Sequence, residues 1–114
     1  MTTYGFIGAG NMAGAIVRGA VAAGIPPCDL AVTSARSSAA TLAQEVGVRL
    51  AASGPELVST SAVVVLAVKP HVVPVVDAQV HDAVASHQPL VVSLAAGLST
   101  ARLEALLPTG TRVV

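Results

Sequence analysis

Seven apolar residues stand in a row at Ala62–Val68, closed by Lys69-Pro70. Successive side chains of a strand point to opposite sides, so a strand of this kind has no solvent face. Uninterrupted aliphatic strands belong to parallel sheets covered by helices on both faces. The composition agrees. Hydrophobic residues make up 54% of the chain and aromatics only 2%, so the core must be built from Val, Ala, Leu and Ile. The 114 residues suit one domain over positions 1–114, with no second domain expected in the chain.

The rest of the chain alternates in the same manner. Thr3–Ile7 reads as a strand, Gly8-Ala9-Gly10 as a tight turn, and Asn11–Ala23 as a helix. Met12, Ile16, Ala20 and Ala23 recur at helical spacing and form the apolar stripe expected to face the core. Gly24 sits where a capping glycine belongs, and Pro26-Pro27 prevents continuation. Further strands are expected at Leu30–Thr33, Val48–Ala51, Ala62–Val68, Leu90–Ala95 and Thr111–Val114. Helices are expected at Ser37–Val46, Pro55–Ser59, Pro74–Ser86 and Ser99–Leu107, the last capped by Ser99. Strands alternating with helices imply right-handed crossovers and an open α/β Rossmann-like parallel sheet, of order 3-2-1-4-5 with the sixth strand outside the fifth. Ligands of such sheets bind beyond the strands' carboxyl ends, where the order reverses. That rule selects the loops Gly8–Met12, Ala67–Pro70 and Ala95–Gly97.

Six basic and six acidic residues are spread along the chain, which argues against a nucleic-acid face or a polybasic membrane patch. Mean hydropathy is high, at +0.77. The long uncharged stretches are nevertheless broken by Gly, Pro and Ser, short of the roughly 20 apolar residues that a membrane span requires. The N-terminus lacks a basic secretory leader region. Cys28 is the single cysteine, so no internal disulfide can form, and a cytoplasmic setting is expected. No Cys/His/carboxylate spacing of the metal-binding kind is present.

Gly8-Ala9-Gly10-Asn11-Met12-Ala13 matches the pattern G-x-G-x-x-G/A, between a predicted strand and a predicted helix. Gly8 permits the turn, Gly10 lets the backbone approach a pyrophosphate, and Ala13 keeps helix close to strand. The helix start offers free N–H groups and a favourable dipole to the diphosphate. An NAD site places an acidic residue at the end of the second strand to bond the ribose 2′-hydroxyl. No Asp or Glu occurs from Leu30 to Leu42; Thr33, Ser34, Arg36, Ser37 and Ser38 stand there instead. Hydroxyl donors and one guanidinium suit a 2′-phosphate, so the expected cofactor is NADP, with NADPH preferred over NADH.

Three segments go beyond a generic dinucleotide-binding domain. Gly5–Met12 resembles the N-terminal signature of the pyrroline-5-carboxylate reductase family. Ala67-Val68-Lys69-Pro70 resembles its A-V-K-P segment, and Val91–Gly97 its V-V-S-x-A-A-G segment, in the same order and spacing. The resemblance implies NAD(P)H-dependent reduction of 1-pyrroline-5-carboxylate to L-proline, the last step of proline biosynthesis. It implies cofactor contacts at Ala9, Asn11, Met12, Ser34, Ala67, Val68, Lys69, Pro70, Ala96 and Gly97, to which the glycine pattern adds Gly8 and Gly10 and the charge argument Arg36. It also implies a helical C-terminal domain beyond Val114 that forms a homo-oligomer and supplies much of the pocket for the imine. Gly54 stands where many members carry Asn near the adenine, and Ala62 where Asp often precedes the fourth strand.

Hydride transfer to a cyclic imine asks a protein mainly for positioning and electrostatics, and no catalytic residue is assigned. Lys69, the only lysine, stands at the end of the central strand as an orienting charge or as a solvated strand-end residue. His71 adjoins the same loop; a solvent-facing loop histidine is preferred over a general acid. The competing functions are a related NADP enzyme such as a 3-hydroxyacid dehydrogenase, and a non-catalytic NADP-binding module.

Overall fold

The computed structural model describes residues 3–95 and 97–114. Six parallel strands form one open sheet: β1 Tyr4–Ile7, β2 Leu30–Thr33, β3 Arg49–Leu50, β4 Val63–Leu66, β5 Leu90–Ser93 and β6 Arg112–Val113. Their order is β3-β2-β1-β4-β5-β6, as expected. The helices are α1 Asn11–Ala22, α2 Ser38–Val46, α3 Gly54–Ser59, α4 Val73–His87 and α5 Thr100–Leu106. Short 3₁₀ turns precede β2 (Pro27–Asp29) and α4 (Pro70–Val72). None of the described helices is long and apolar enough to cross a membrane.

The alternation of strand side chains divides the core in two. Val65 and Phe6 join Ala13 and Val17 of α1 and Ala39 and Leu42 of α2 on one face. Their neighbours Val64, Leu66 and Ile7 join Leu57 and Val58 of α3, the valines of α4, and Leu103 of α5 on the other. This two-sided burial is what the seven-residue apolar run demanded. The strands are shorter than the apolar runs that predicted them: β4 ends at Leu66, although the Ala67 N–H still donates to the Ile7 carbonyl at 2.8 Å. Beyond it the backbone leaves the sheet to shape the loop.

The orientation of α1 differs from the expectation. Met12 is 61% and Ile16 40% exposed, and the buried face is Ala13, Gly14 and Val17. Ala13 and Val17 of that face pack with Phe6, Val32 and Val65 of the sheet. The Gly24 cap is as expected, with φ at +106°. On the surface, Arg18 of α1 bonds Glu45 of α2, and this hydrogen bond and charge hold the Glu45 carboxyl below its ordinary range.

Gly5 of β1 leaves no room for a side chain. A Cβ there would stand 2.4 Å from Ser61 Oγ and 2.5 Å from Leu57 Cδ2, so α3 rests on bare backbone. Ser61 is fully buried and donates to the Leu57 carbonyl at 2.7 Å, which leaves it little freedom to move. Gly5→Ala should therefore destabilise the fold by about 1–3 kcal/mol through overpacking. Urea unfolding checks this; an unchanged midpoint would mean that α3 shifts freely.

Candidate functional site

The chain turns sharply where β1 ends. Gly8 has φ +100°, and a Cβ on it would stand 2.5 Å from the Ala67 carbonyl oxygen. Gly10 precedes α1 in extended conformation (φ −75°, ψ −163°), with no side chain capping the helix. The Gly14 N–H returns to the Gly10 carbonyl at 2.8 Å, so the donors before it lie outside the helical ladder. A Cβ on Gly10 would meet nothing within 4 Å. The first loop thus presents free N–H groups beside empty space, as an approaching diphosphate requires.

That space is part of a cleft of about 850 Å³ over the carboxyl ends of β1, β2, β3 and β4. Gly8, Ala9 and Gly10 form its floor with Ala67, Val68 and Lys69. Thr33, Ser34, Arg36 and Ser38 line the β2 end. Arg36 and Lys69 are the only charged side chains on its walls among the described residues, and no carboxylate lines it. Both cations are exposed, while other arginines are engaged elsewhere: Arg18 with Glu45, and Arg49 with Glu56 at 2.7 Å. The cleft is therefore positive in a chain whose formal charge is zero.

Several sequence-selected residues occupy other places. Ser34 was expected to donate to a phosphate. Instead its hydroxyl donates to the Arg36 carbonyl at 2.7 Å and accepts from the Ala39 N–H at 3.0 Å and from Ser38 Oγ at 3.2 Å. It folds the loop that carries Arg36, a self-bonding habit of serines in turns. Asn11 and Met12 are exposed at the start of α1 and stand outside the cleft walls. Pro70 also stands outside the walls, because it opens the 3₁₀ turn before α4. Gly97, exposed with φ +83°, follows β5, on the far side of β4 from the cleft. Ala96 lies outside the described residues.

The histidines also stand apart from the cleft walls. His71 is exposed in the 3₁₀ turn, His81 Nδ1 lies 3.1 Å from Asp77 Oδ1, and His87 Nε2 donates to the Ser61 carbonyl at 2.9 Å. Among the described residues no three His, Cys, Asp or Glu side chains gather as a metal site would need. Two walls lie outside the site residues that the sequence selected, although the family resemblance puts position 54 near the adenine. The turn Ala52–Pro55 closes the β3 end, and Val72, Val75, Val76, Gln79 and Val80 come from α4. The first had a signal: Ser53-Gly54-Pro55-Glu56 fits a helix-capping pattern, and Ser53 Oγ accepts from the Glu56 N–H at 3.2 Å. The second had none, since helical periodicity does not say which neighbouring loop a helix will flank.

A family model described as "NADP oxidoreductase coenzyme F420-dependent" matches residues 3–97. Pyrroline-5-carboxylate reductase 3 of Danio rerio is 40% identical over 111 residues, covering 96% of this chain and 38% of the relative. Pyrroline-5-carboxylate reductase of Pasteurella multocida is 37% identical, covering 96% of this chain and 41% of the relative. Among solved structures, a pyrroline-5-carboxylate reductase from Coxiella burnetii superposes with a TM-score of 0.90 at 34% identity, covering 98% of this chain and 42% of that one. The chain thus spans about two fifths of the length of the relatives it matches.

The open space at Gly10, with its ordinary negative φ, separates folding from binding. Gly10→Val should keep the far-ultraviolet circular dichroism and melting behaviour of the parent, yet weaken dinucleotide binding about a hundredfold or more. A folded variant that binds normally would remove the glycine loop from the phosphate site.

Proposed function

The chain belongs to the NADP oxidoreductase coenzyme F420-dependent family, and from that membership we propose that it is the NADPH-holding domain of a pyrroline-5-carboxylate reductase. The whole protein would reduce the imine 1-pyrroline-5-carboxylate to L-proline in proline biosynthesis, as a cytoplasmic homo-oligomer. The observation that carries the cofactor half of this reading is the charge of the cleft: two cations and no carboxylate. The identity to relatives of that name over 96% of the chain supports the reaction half.

NADPH would supply the hydride; this chain would supply its seat. The main-chain donors of Gly10, Asn11 and Met12 would face the diphosphate, with the α1 dipole behind them. The Arg36 guanidinium, on a loop held by Ser34, would meet the 2′-phosphate, whereas NADH would leave it unpaired. Lys69 and Val68 stand at the β4 end of the same cleft, where the loop after β4 would bound the dinucleotide. Lys69, exposed and flexible, would add positive potential there and orient an anionic group.

Replacing Arg36 by Ala should weaken NADPH by about 10- to 100-fold, the worth of one or two charge-assisted bonds, and barely change NADH. Fluorescence titration of both cofactors reads this directly; equal losses for the two would end the 2′-phosphate assignment.

Orientation of a second reactant contributes about 7–11 kcal/mol to a bimolecular step. In this reading the cleft would wall the imine on the cofactor side only. The 114-residue chain should therefore oxidise NADPH in the presence of pyrroline-5-carboxylate at least about a thousandfold more slowly than a protein extended to the relatives' full length. NADPH affinity should be similar for the two. Comparable turnover would place the whole active site within residues 1–114.

A further inference from the structure

Phosphate recognition leaves the α4 wall of the cleft unused. Val72, Val76 and Val80 make it aliphatic, and Val75 joins them while 58% exposed. Opposite lies the start of α3. A Cβ on Gly54 would stand 2.9 Å from Val80 Cγ1, so the two helices approach through bare backbone and residue 54 brings no polar group to this end. The neighbouring Ser53 hydroxyl is already the cap of α3. This end of the cleft is thus apolar, open and flanked by backbone, which suits a flat heteroaromatic ring.

One polar side chain interrupts the aliphatic wall. Gln79 lies between Val76 and Val80 on the cleft side and is exposed. Among the described residues it is the only side-chain amide lining the cleft. The side-chain hydrogen bonds of α4 belong to Asp77, His81 and His87, so the Gln79 carboxamide keeps both its donor and its acceptor free. A carboxamide matches adenine in particular: its oxygen accepts from the N6 amine while its nitrogen donates to N7.

We propose that Gln79 is the residue that reads the adenine of the cofactor, with the base laid on the valine wall of α4. The inference rests on the NADPH reading and adds to it the source of base specificity. Hypoxanthine, with a carbonyl in place of the N6 amine, presents two acceptors and satisfies only one of the two carboxamide groups.

The test measures dissociation constants of NADPH and of its hypoxanthine analogue, 2′-phosphate retained, for the parent chain and for Gln79→Met. Methionine keeps the length and helix propensity of glutamine at an exposed site. The parent should bind NADPH about tenfold more tightly than the analogue. Gln79→Met should lose about tenfold toward NADPH, keep its affinity for the analogue within about twofold, and so bind the two alike. Parent discrimination that survives in Gln79→Met, or equal losses for both cofactors, would overturn the assignment of Gln79 while leaving the NADPH reading intact. A parent chain that binds neither cofactor would overturn both.

Discussion

The ends of three strands meet at Gly8. Its N–H donates to the Thr33 carbonyl at 2.8 Å, which carries the bonding between β1 and β2 past the end of the strands. On the other side, the Ala67 N–H donates to the Ile7 carbonyl at 2.8 Å, and the Ala67 oxygen occupies the place of a Gly8 side chain. With φ at +100°, Gly8 turns the chain there in a conformation that residues with a Cβ rarely adopt. The turn sends the backbone through Gly10 into α1 and opens the cleft directly above the point where strand order reverses. A side chain at Gly8 would push the β4 loop away and separate the two halves of the site. The free amides of α1, the Arg36 loop and Lys69 share one cleft because these three loops are drawn together at a residue with no side chain.

The electrostatics follow from arrangement rather than composition. The chain is neutral by formal count, so no overall attraction for an anion exists. Pairing changes that locally. Glu45 and Glu56 are engaged by Arg18 and Arg49, outside the cleft walls, and the buried Asp77 accepts from His81 on α4. What remains exposed on the cleft walls is positive. Ser34 contributes by holding the loop: three hydrogen bonds to one hydroxyl fix the turn from which Arg36 projects. A preorganised loop presents its guanidinium at less entropic cost than a flexible one.

Much of the fold was legible because its signals are local. The apolar run Ala62–Val68 reads as a central strand, and the glycines at 8 and 24 mark turns whose positive φ values the structure bears out. Strand order followed from the handedness of parallel crossovers. Element ends were less legible. The runs Ala62–Val68 and Leu90–Ala95 are apolar beyond the ladder, whereas β4 ends at Leu66 and β5 at Ser93. Apolarity reports burial, and the residues just past a strand are still partly buried by the loops they join. The stripe of α1 misled for a related reason. Met12 and Ile16 are larger and more apolar than Ala13 and Gly14, yet it is the smaller pair, with Val17, that the helix turns toward the core.

For this chain, the sequence by itself determined the two-faced parallel sheet, the glycine turn between β1 and α1, and the absence of a carboxylate at the end of β2. Each depends on residue types within a few positions of one another, through strand alternation, backbone φ and the charge of a single loop. Only the tertiary structure decided that Ser34 spends its hydroxyl on its own loop, that Gly97 lies off the cleft walls, and that α4 and the stretch Ala52–Pro55 wall it. These depend on how separate crossovers pack against one another. The contact that brings Gly54 against Val80, and so sets Gln79 beside the cleft, joins residues 26 positions apart. It arises from the fit of two helices on one face of the sheet, for which neither segment carries a local pattern.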